Sequence, residues 1–168
     1  MSDSWENDLV VVSCKKSLDD VLTNKVYMCK IGENASNFKR ALYFGVYADK
    51  KVSHLYKIIG VVDIGQKIND KFSYCKKVYN NRLWDDDKLI KEAEDKVNTS
   101  KYLEKGDIEK AGWRVFLLDE EKLNPEQLKV EFKKSSSGGM FTRKIYFKNI
   151  AKNCVGLEAL AKELKLIF

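Results

Sequence analysis

The sequence predicts an α+β fold: a strongly curved, mostly antiparallel sheet or small β-barrel of about six to seven strands with flanking helices. Three observations predict it. Short β-rich runs recur along the chain, joined by connections too short for βαβ crossovers. Two segments, residues 85–104 and 156–166, carry apolar residues at helical spacing. The composition, 44% hydrophobic and 33% charged over 168 residues, suits one globular domain large enough to fold without disulfide or metal staples. A single domain over residues 1–168 is therefore expected, with residues 1–7 as a flexible start.

The elements follow in order. Asp8 to Ser13 (DLVVVS) is a strand with a β-branched core, and Ser17 is placed to cap a short helix through Asp19, Asp20 and Leu22. Val26 to Ile31 is a second strand, and Asn34 to Asn37 a polar loop. Ala41 to Ala48 (ALYFGVYA) is the most apolar strand, with Gly45 as a bulge or close-approach site. A tight connection at Asp49 to Lys51 makes the next run, Leu55 to Ile64, its antiparallel neighbour, and Gly60 offers a place to bend. Tyr74 to Tyr79 alternates only loosely and is a weaker strand.

From Asp85 to about Lys105, Leu89, Ile90, Ala93 and Val97 define an amphipathic surface helix. The run Asp85, Asp86, Asp87 at its start is read as capping, favoured by the helix dipole, rather than as a metal cluster. Trp113 to Leu118 is a strand, Lys122 to Glu126 turns around the only proline, and Leu128 to Lys133 alternates as a partly exposed strand. Ser135 to Gly139 (SSSGG) reads as a hairpin loop and Arg143 to Lys148 as the returning strand. Leu157, Leu160, Ala161 and Leu164 give the terminal helix a leucine face for docking.

Several functional classes are excluded. The longest apolar runs, Ile58 to Val62 and Val115 to Leu118, fall far short of the roughly 18 to 20 residues that cross a bilayer. The polar, acidic start lacks the features of a secretory signal, so residence in the cytosol is expected, with no membrane partner. Cys14, Cys29, Cys75 and Cys154 are too widely spaced for a metal site and are expected as free, mostly buried thiols; no cofactor or metal is implied. Neither G-x-x-x-x-G-K-[ST], G-x-G-x-x-G nor G-x-S-x-G occurs. A net charge of +6 favours polyanionic partners.

Two constellations could carry chemistry. Asp119, with Glu131 and Lys133 in Glu131-Phe132-Lys133, could hold Mg²⁺ between two carboxylates while the lysine steadies a phosphate. That pattern resembles a PD-(D/E)xK nuclease, although Pro125 follows Asp119 instead of preceding it. The other constellation interleaves aromatics and cations: Tyr43, Phe44 and Tyr47 beside Lys50 and Lys51, then His54, Tyr56 and Lys57. Such a strip could stack a base and hold its phosphate, or could simply be core.

The stretch ALYFGVYADKKVSHLYKIIGVVDI (41–64) resembles the central strands of PUA-like domains of the EVE and ASCH branches. WRVFLLDEEKL (113–123), MFTRKIYFKNIAKN (140–153) and the leucine-rich end resemble the closing strands and final helix of that superfamily. The resemblance covers Phe38 to Leu164. It implies a compact PUA-like β-barrel that binds RNA, modified DNA or a nucleotide, in a phage or antiviral-defence setting. It also implies a cleft lined by Val52, Ser53 and His54, with Tyr47 on one wall and Trp113 or Arg114 on another; with the aromatic–cation strip, the expected ligand contacts are Tyr43, Tyr47, Lys50, His54, Trp113, Arg114 and Arg143. The chain departs from the pattern in lacking an attached effector and a cage of two tryptophans. Binding of nucleic acid or a nucleotide is the preferred expectation. A Mg²⁺-dependent nuclease and a protein-interaction module, such as a phage-encoded inhibitor or accessory subunit, remain open.

Overall fold

The computed structural model describes residues 5–14, 16–31, 38–48, 51–100, 103–122, 130–131 and 144–167. In chain order the strands and helices are β1 (Leu9–Ser13), β2 (Val26–Lys30), β3 (Tyr43–Ala48), β4 (Lys51–Ile64), β5 (Lys67–Ile68), β6 (Lys71–Phe72), β7 (Cys75–Asn80), α1 (Asp86–Thr99), α2 (Lys105–Lys110), β8 (Trp113–Lys122), β9 (Val130–Glu131), β10 (Lys144–Phe147) and α3 (Gly156–Ile167). The fold is α+β with mixed, mostly antiparallel strand pairing. The chain groups into two compact units, residues 1–15, 41–57 and 120–168 forming the first and 16–40 and 58–119 the second. β4 contributes its first half to one unit and its second half to the other.

In the first unit, β1 lies between β3 and β10, parallel to β3 (Leu9 opposite Tyr43) and antiparallel to β10 (Leu9 opposite Phe147). The parallel pair was not evident in the sequence. It is possible because the chain between β1 and β3 is long enough for a crossover, which parallel strands require. β3 then pairs antiparallel with β4, as the short connection predicts. Ser53 has no partner opposite it, because His54 pairs with Val46 and Val52 with Tyr47, so the bulge falls on β4 and not at Gly45. The leucine face of α3 docks as expected. Leu157, Leu160, Ala161 and Leu164 pack with Leu9, Val11, Tyr43, Val52 and Leu55. Leu160 and Leu164 are wholly buried, each worth about 2 kcal/mol of apolar transfer. Buried Asp8 fixes two connections: its carboxylate accepts from the Asn149 N–H at 2.8 Å, and its carbonyl accepts from those of Leu42 and Tyr43.

In the second unit the β8 strand lies between β4 and β2, and β7 pairs with β4. β2 and β8 are antiparallel, with Met28 opposite Val115, and β4 and β7 are antiparallel, with Asp63 opposite Lys76. Helix α1 starts where the acidic run predicts: Asp85 caps it, accepting the Lys88 N–H at 2.8 Å. Its buried Leu89, Ala93 and Val97 pack on Val26, Met28, Ile59, Val62, Ile64, Val115 and Leu117. Gly60 lies under the helix. A Cβ there would stand 2.7 and 2.9 Å from the two Leu89 methyls and 2.9 Å from the Tyr79 carbonyl oxygen. Close approach of α1, and not strand bending, is what this glycine provides.

The expected strong curvature and barrel closure are not found. In each unit the pairing path is open, ending at β10 in the first and at β2 in the second, each with one strand neighbour among the described residues. The four-residue β10 and five-residue β2 are edges, not links in a ring. The segment after Ser17 forms one π-helical turn, Asp20–Asn24, in place of a capped α-helix. Two elements went unanticipated: the short helix α2, and a β5–β6 hairpin turning through Asn69 and Asp70, both at positive φ. The loops expected at 34–37 and 135–139 lie outside the described residues.

Candidate functional site

Alternation along β4 and β8 decides which side chains point away from α1 in the second unit. Val62 and Ile64 pack in the α1 core, so Asp63 between them points to the other face, and Arg114 between Trp113 and Val115 does the same. Directly opposed residues share a face, which brings Lys76, opposite Asp63, and Cys29, opposite Arg114, to that side. A row thus runs across the strands. Arg114 holds its centre, donating through Nε at 2.7 Å and Nη2 at 2.9 Å to the two carboxylate oxygens of Asp63. Both side chains are 15% exposed. The hydrogen bond to Asp63 raises the already high guanidinium pKa, so Arg114 is a permanent cation fixed by a bidentate pair.

Two pairs further along, Gly65 and Tyr74 continue the β4–β7 ladder, the Gly65 N–H donating to the Tyr74 carbonyl at 2.8 Å. The Tyr74 ring lies across the glycine. A Cβ at Gly65 would meet the Ser73 hydroxyl first and come within 2.6 and 2.7 Å of ring atoms Cδ1 and Cε1, yet Tyr74 stays 47% exposed. The surrounding segment, Lys67 to Arg82, carries Lys67, Lys71, Lys76, Lys77 and Arg82 against a single acid, Asp70. Lys77 pairs with Asp86 at 2.9 Å, and Lys67 donates to Asn98 and lies over the Phe72 ring. Lys71, Lys76 and Arg82 are exposed with no ion pair among the described residues.

The same face is stiffened at its other end. Phe116, Phe38 and Tyr27 form a ring cluster with centroids 4.8 to 6.3 Å apart. Arg40 lies 5.4 Å from the Tyr79 ring centre, donating to the Asn81 side chain and the Asn80 carbonyl. On the α1 side, burial pushes the Cys75 thiol up to about 12, helped by a hydrogen bond with Glu94. A thiol held protonated is no nucleophile.

The residues singled out in the sequence are dispersed between the units. In the first, Tyr43 is 7% exposed within the α3 core, and its hydroxyl pKa is raised by burial and by Cys154. Tyr47 is half-buried against that core. His54 is 8% exposed, its Nδ1 2.9 Å from the Ser53 hydroxyl and its ring stacked 6.4 Å from that of Tyr56. Tyr56 is wholly buried, and burial lifts its pKa to about 12. In the second unit Arg114 occupies the row just described, whereas Trp113 packs toward α1 and donates its indole N–H to the Asp107 carbonyl at 3.2 Å.

Lys50, Lys133 and Arg143 lie outside the described residues. Asp119 is half-buried on β8 and Glu131 stands opposite Lys51 on β9. Among the described residues no group of three or more His, Cys, Asp or Glu side chains is placed to hold a metal ion, and no helix is long and apolar enough to cross a membrane.

Gly65, Tyr74 and Lys76 were not anticipated as site residues. The signal available for them was the charge imbalance of residues 67–82, with an aromatic at its centre. In comparisons with known proteins, no family model, no curated protein and no solved structure matches the chain.

Proposed function

We propose that this chain is a nucleic-acid-binding module whose contact surface is centred on residues 67–82 of the second unit, with Tyr74 and Lys76 exposed within it. The observation that carries this reading is the strip Lys67 to Arg82, where five cations stand against one acid and Lys71, Lys76 and Arg82 remain exposed without ion pairs among the described residues. A phosphate backbone is the polyanion such a strip fits, because each neutralised phosphate releases counterions into bulk solvent. The net charge of +6 supports the same ligand class, and the reading goes with a cytosolic module in a phage or defence setting. The contact surface differs from the cleft that the resemblance implies, since Tyr43 and His54 are buried.

Salt dependence tests the reading. Fluorescence anisotropy with labelled oligonucleotides should show affinity falling roughly 20- to 100-fold between about 50 and 200 mM salt, as three to five phosphate contacts require. Replacing Lys71, Lys76 and Arg82 together by alanine should flatten the slope of log K against log salt by about 2. Absence of binding at the lower salt, or a slope unchanged in the triple variant, would refute it.

A further inference from the structure

We infer that Tyr74 is a base-stacking platform and that the ligand is therefore single-stranded nucleic acid, bound with little sequence preference. The inference rests on the nucleic-acid reading above and adds the class of strand. Among the described residues, the large apolar side chains that stand exposed are Ile68, Tyr74, Val78, Leu83, Ile145 and Val155, and Tyr74 is the one aromatic. An exposed ring is ordinarily mobile, which makes ordering it on a ligand costly. This one is held. Its ring lies on the bare Cα of Gly65, and the backbone on both sides is fixed by the Gly65 N–H to Tyr74 carbonyl bond and by the Ser73 N–H to Gln66 carbonyl bond at 2.9 Å. Any larger residue at position 65 would meet the Ser73 hydroxyl and the ring together, so the glycine keeps one side of Tyr74 seated while 47% of the residue faces solvent.

One cation shares the face of the ring. Lys76 follows Tyr74 by two residues and alternates to the same face, whereas Lys71, on β6, lines a cleft with Cys75, Glu94 and Asn98 on the α1 side. A ring with a lysine beside it on one face matches the way single strands are held, bases stacked on aromatics and phosphates on lysines. An intact duplex keeps its bases stacked on one another and offers such a ring little to stack with. Every base has a π-face, so a platform without a hydrogen-bonding pocket tolerates any sequence. The β5–β6 hairpin, two residues per strand, is too short to read a groove as a ribbon.

The experiment compares a fluorescein-labelled single-stranded 12-mer of thymidine with a 12-base-pair duplex on the full chain by anisotropy. The expected result is tighter binding of the single strand, with Tyr74→Ala lowering that affinity about tenfold and leaving duplex affinity within about twofold. Tyr74→Phe should retain wild-type binding, since the ring and not the hydroxyl carries the contact. Gly65→Ala should weaken single-strand binding with Lys71 and Lys76 still in place. Circular dichroism and thermal melts of each variant separate lost binding from lost folding. Equal affinity for both ligands, unchanged in a folded Tyr74→Ala, overturns the stacking role while leaving phosphate binding intact. No binding of either ligand at low salt overturns both readings.

Discussion

Replacing Gly60 by alanine tests the contact on which the second unit is built. The added methyl would meet both Leu89 methyls at 2.7 and 2.9 Å and the Tyr79 carbonyl oxygen at 2.9 Å. Leu89 is wholly buried in α1 and is packed in one cluster with Ile59, Val62 and Ala93, so it has no empty space to move into. The carbonyl is held by the β4–β7 register, where Val61 faces Tyr79 and Gly60 faces Asn80. Overpacking of this kind costs about 1–3 kcal/mol, and the upper half applies because one of the three contacts is to backbone. Removing a glycine also restricts the unfolded chain and offsets roughly 0.5 kcal/mol. The net loss should be about 2 kcal/mol, a fall in Tm of about 4–8 °C for a chain of this size. Urea and thermal melts followed by circular dichroism measure it. In a Leu89→Ala background, which itself costs about 2–5 kcal/mol, the added methyl should fill part of the cavity, and Gly60→Ala should then cost less than half as much. A Gly60→Ala protein within about 0.5 kcal/mol of wild type, or an equal cost in both backgrounds, would show that α1 does not rest on this glycine.

Two further outcomes are expected. Asp63→Asn leaves Arg114 charged, 15% exposed and without its bidentate partner, so stability should fall by about 2 kcal/mol in urea melts. Oligonucleotide affinity should rise at the same time, because a negative charge leaves the binding face; lower affinity in a folded variant would place the phosphates elsewhere. With its thiol pKa raised to about 12, Cys75 stays protonated at all ordinary pH. At pH 8 its alkylation in the native protein should be on the order of a hundred- to a thousandfold slower than in the unfolded chain, read by peptide mass mapping.

Much of the architecture was legible because its signals are local. The acidic run that caps α1 at Asp85, the leucine spacing of α3 and the β-branched cores of β1 and β4 each state a period or a cap within one window. What escaped notice depends on partners distant in sequence. The parallel pairing of β1 with β3 follows from where the intervening chain goes, and neither strand records it. The open edges at β2 and β10 likewise reflect which strands fail to meet. Gly60 reads identically in sequence whether a strand bends or a helix crosses it; only Leu89, contributed by another element, distinguishes the two.

The binding surface was hard to locate for a related reason. Aromatics beside lysines drew attention to residues 43–57, but Phe44, Val46 and Tyr56 are wholly buried on one side of β3 and β4 while Tyr43, Val52 and Leu55 are buried on the other. A strand buried on both faces must be nearly continuous in apolar residues, so its aromatics are the ones least available to a ligand. β7 is the converse. Cys75–Asn80 alternates poorly because Val78 is an unpaired bulge residue, and Lys76, Lys77 and Val78 are exposed. Weak strand character and ligand access therefore have one cause: a strand with little to bury can leave a ring such as Tyr74 in solvent, provided that a glycine on its neighbour gives the ring a seat.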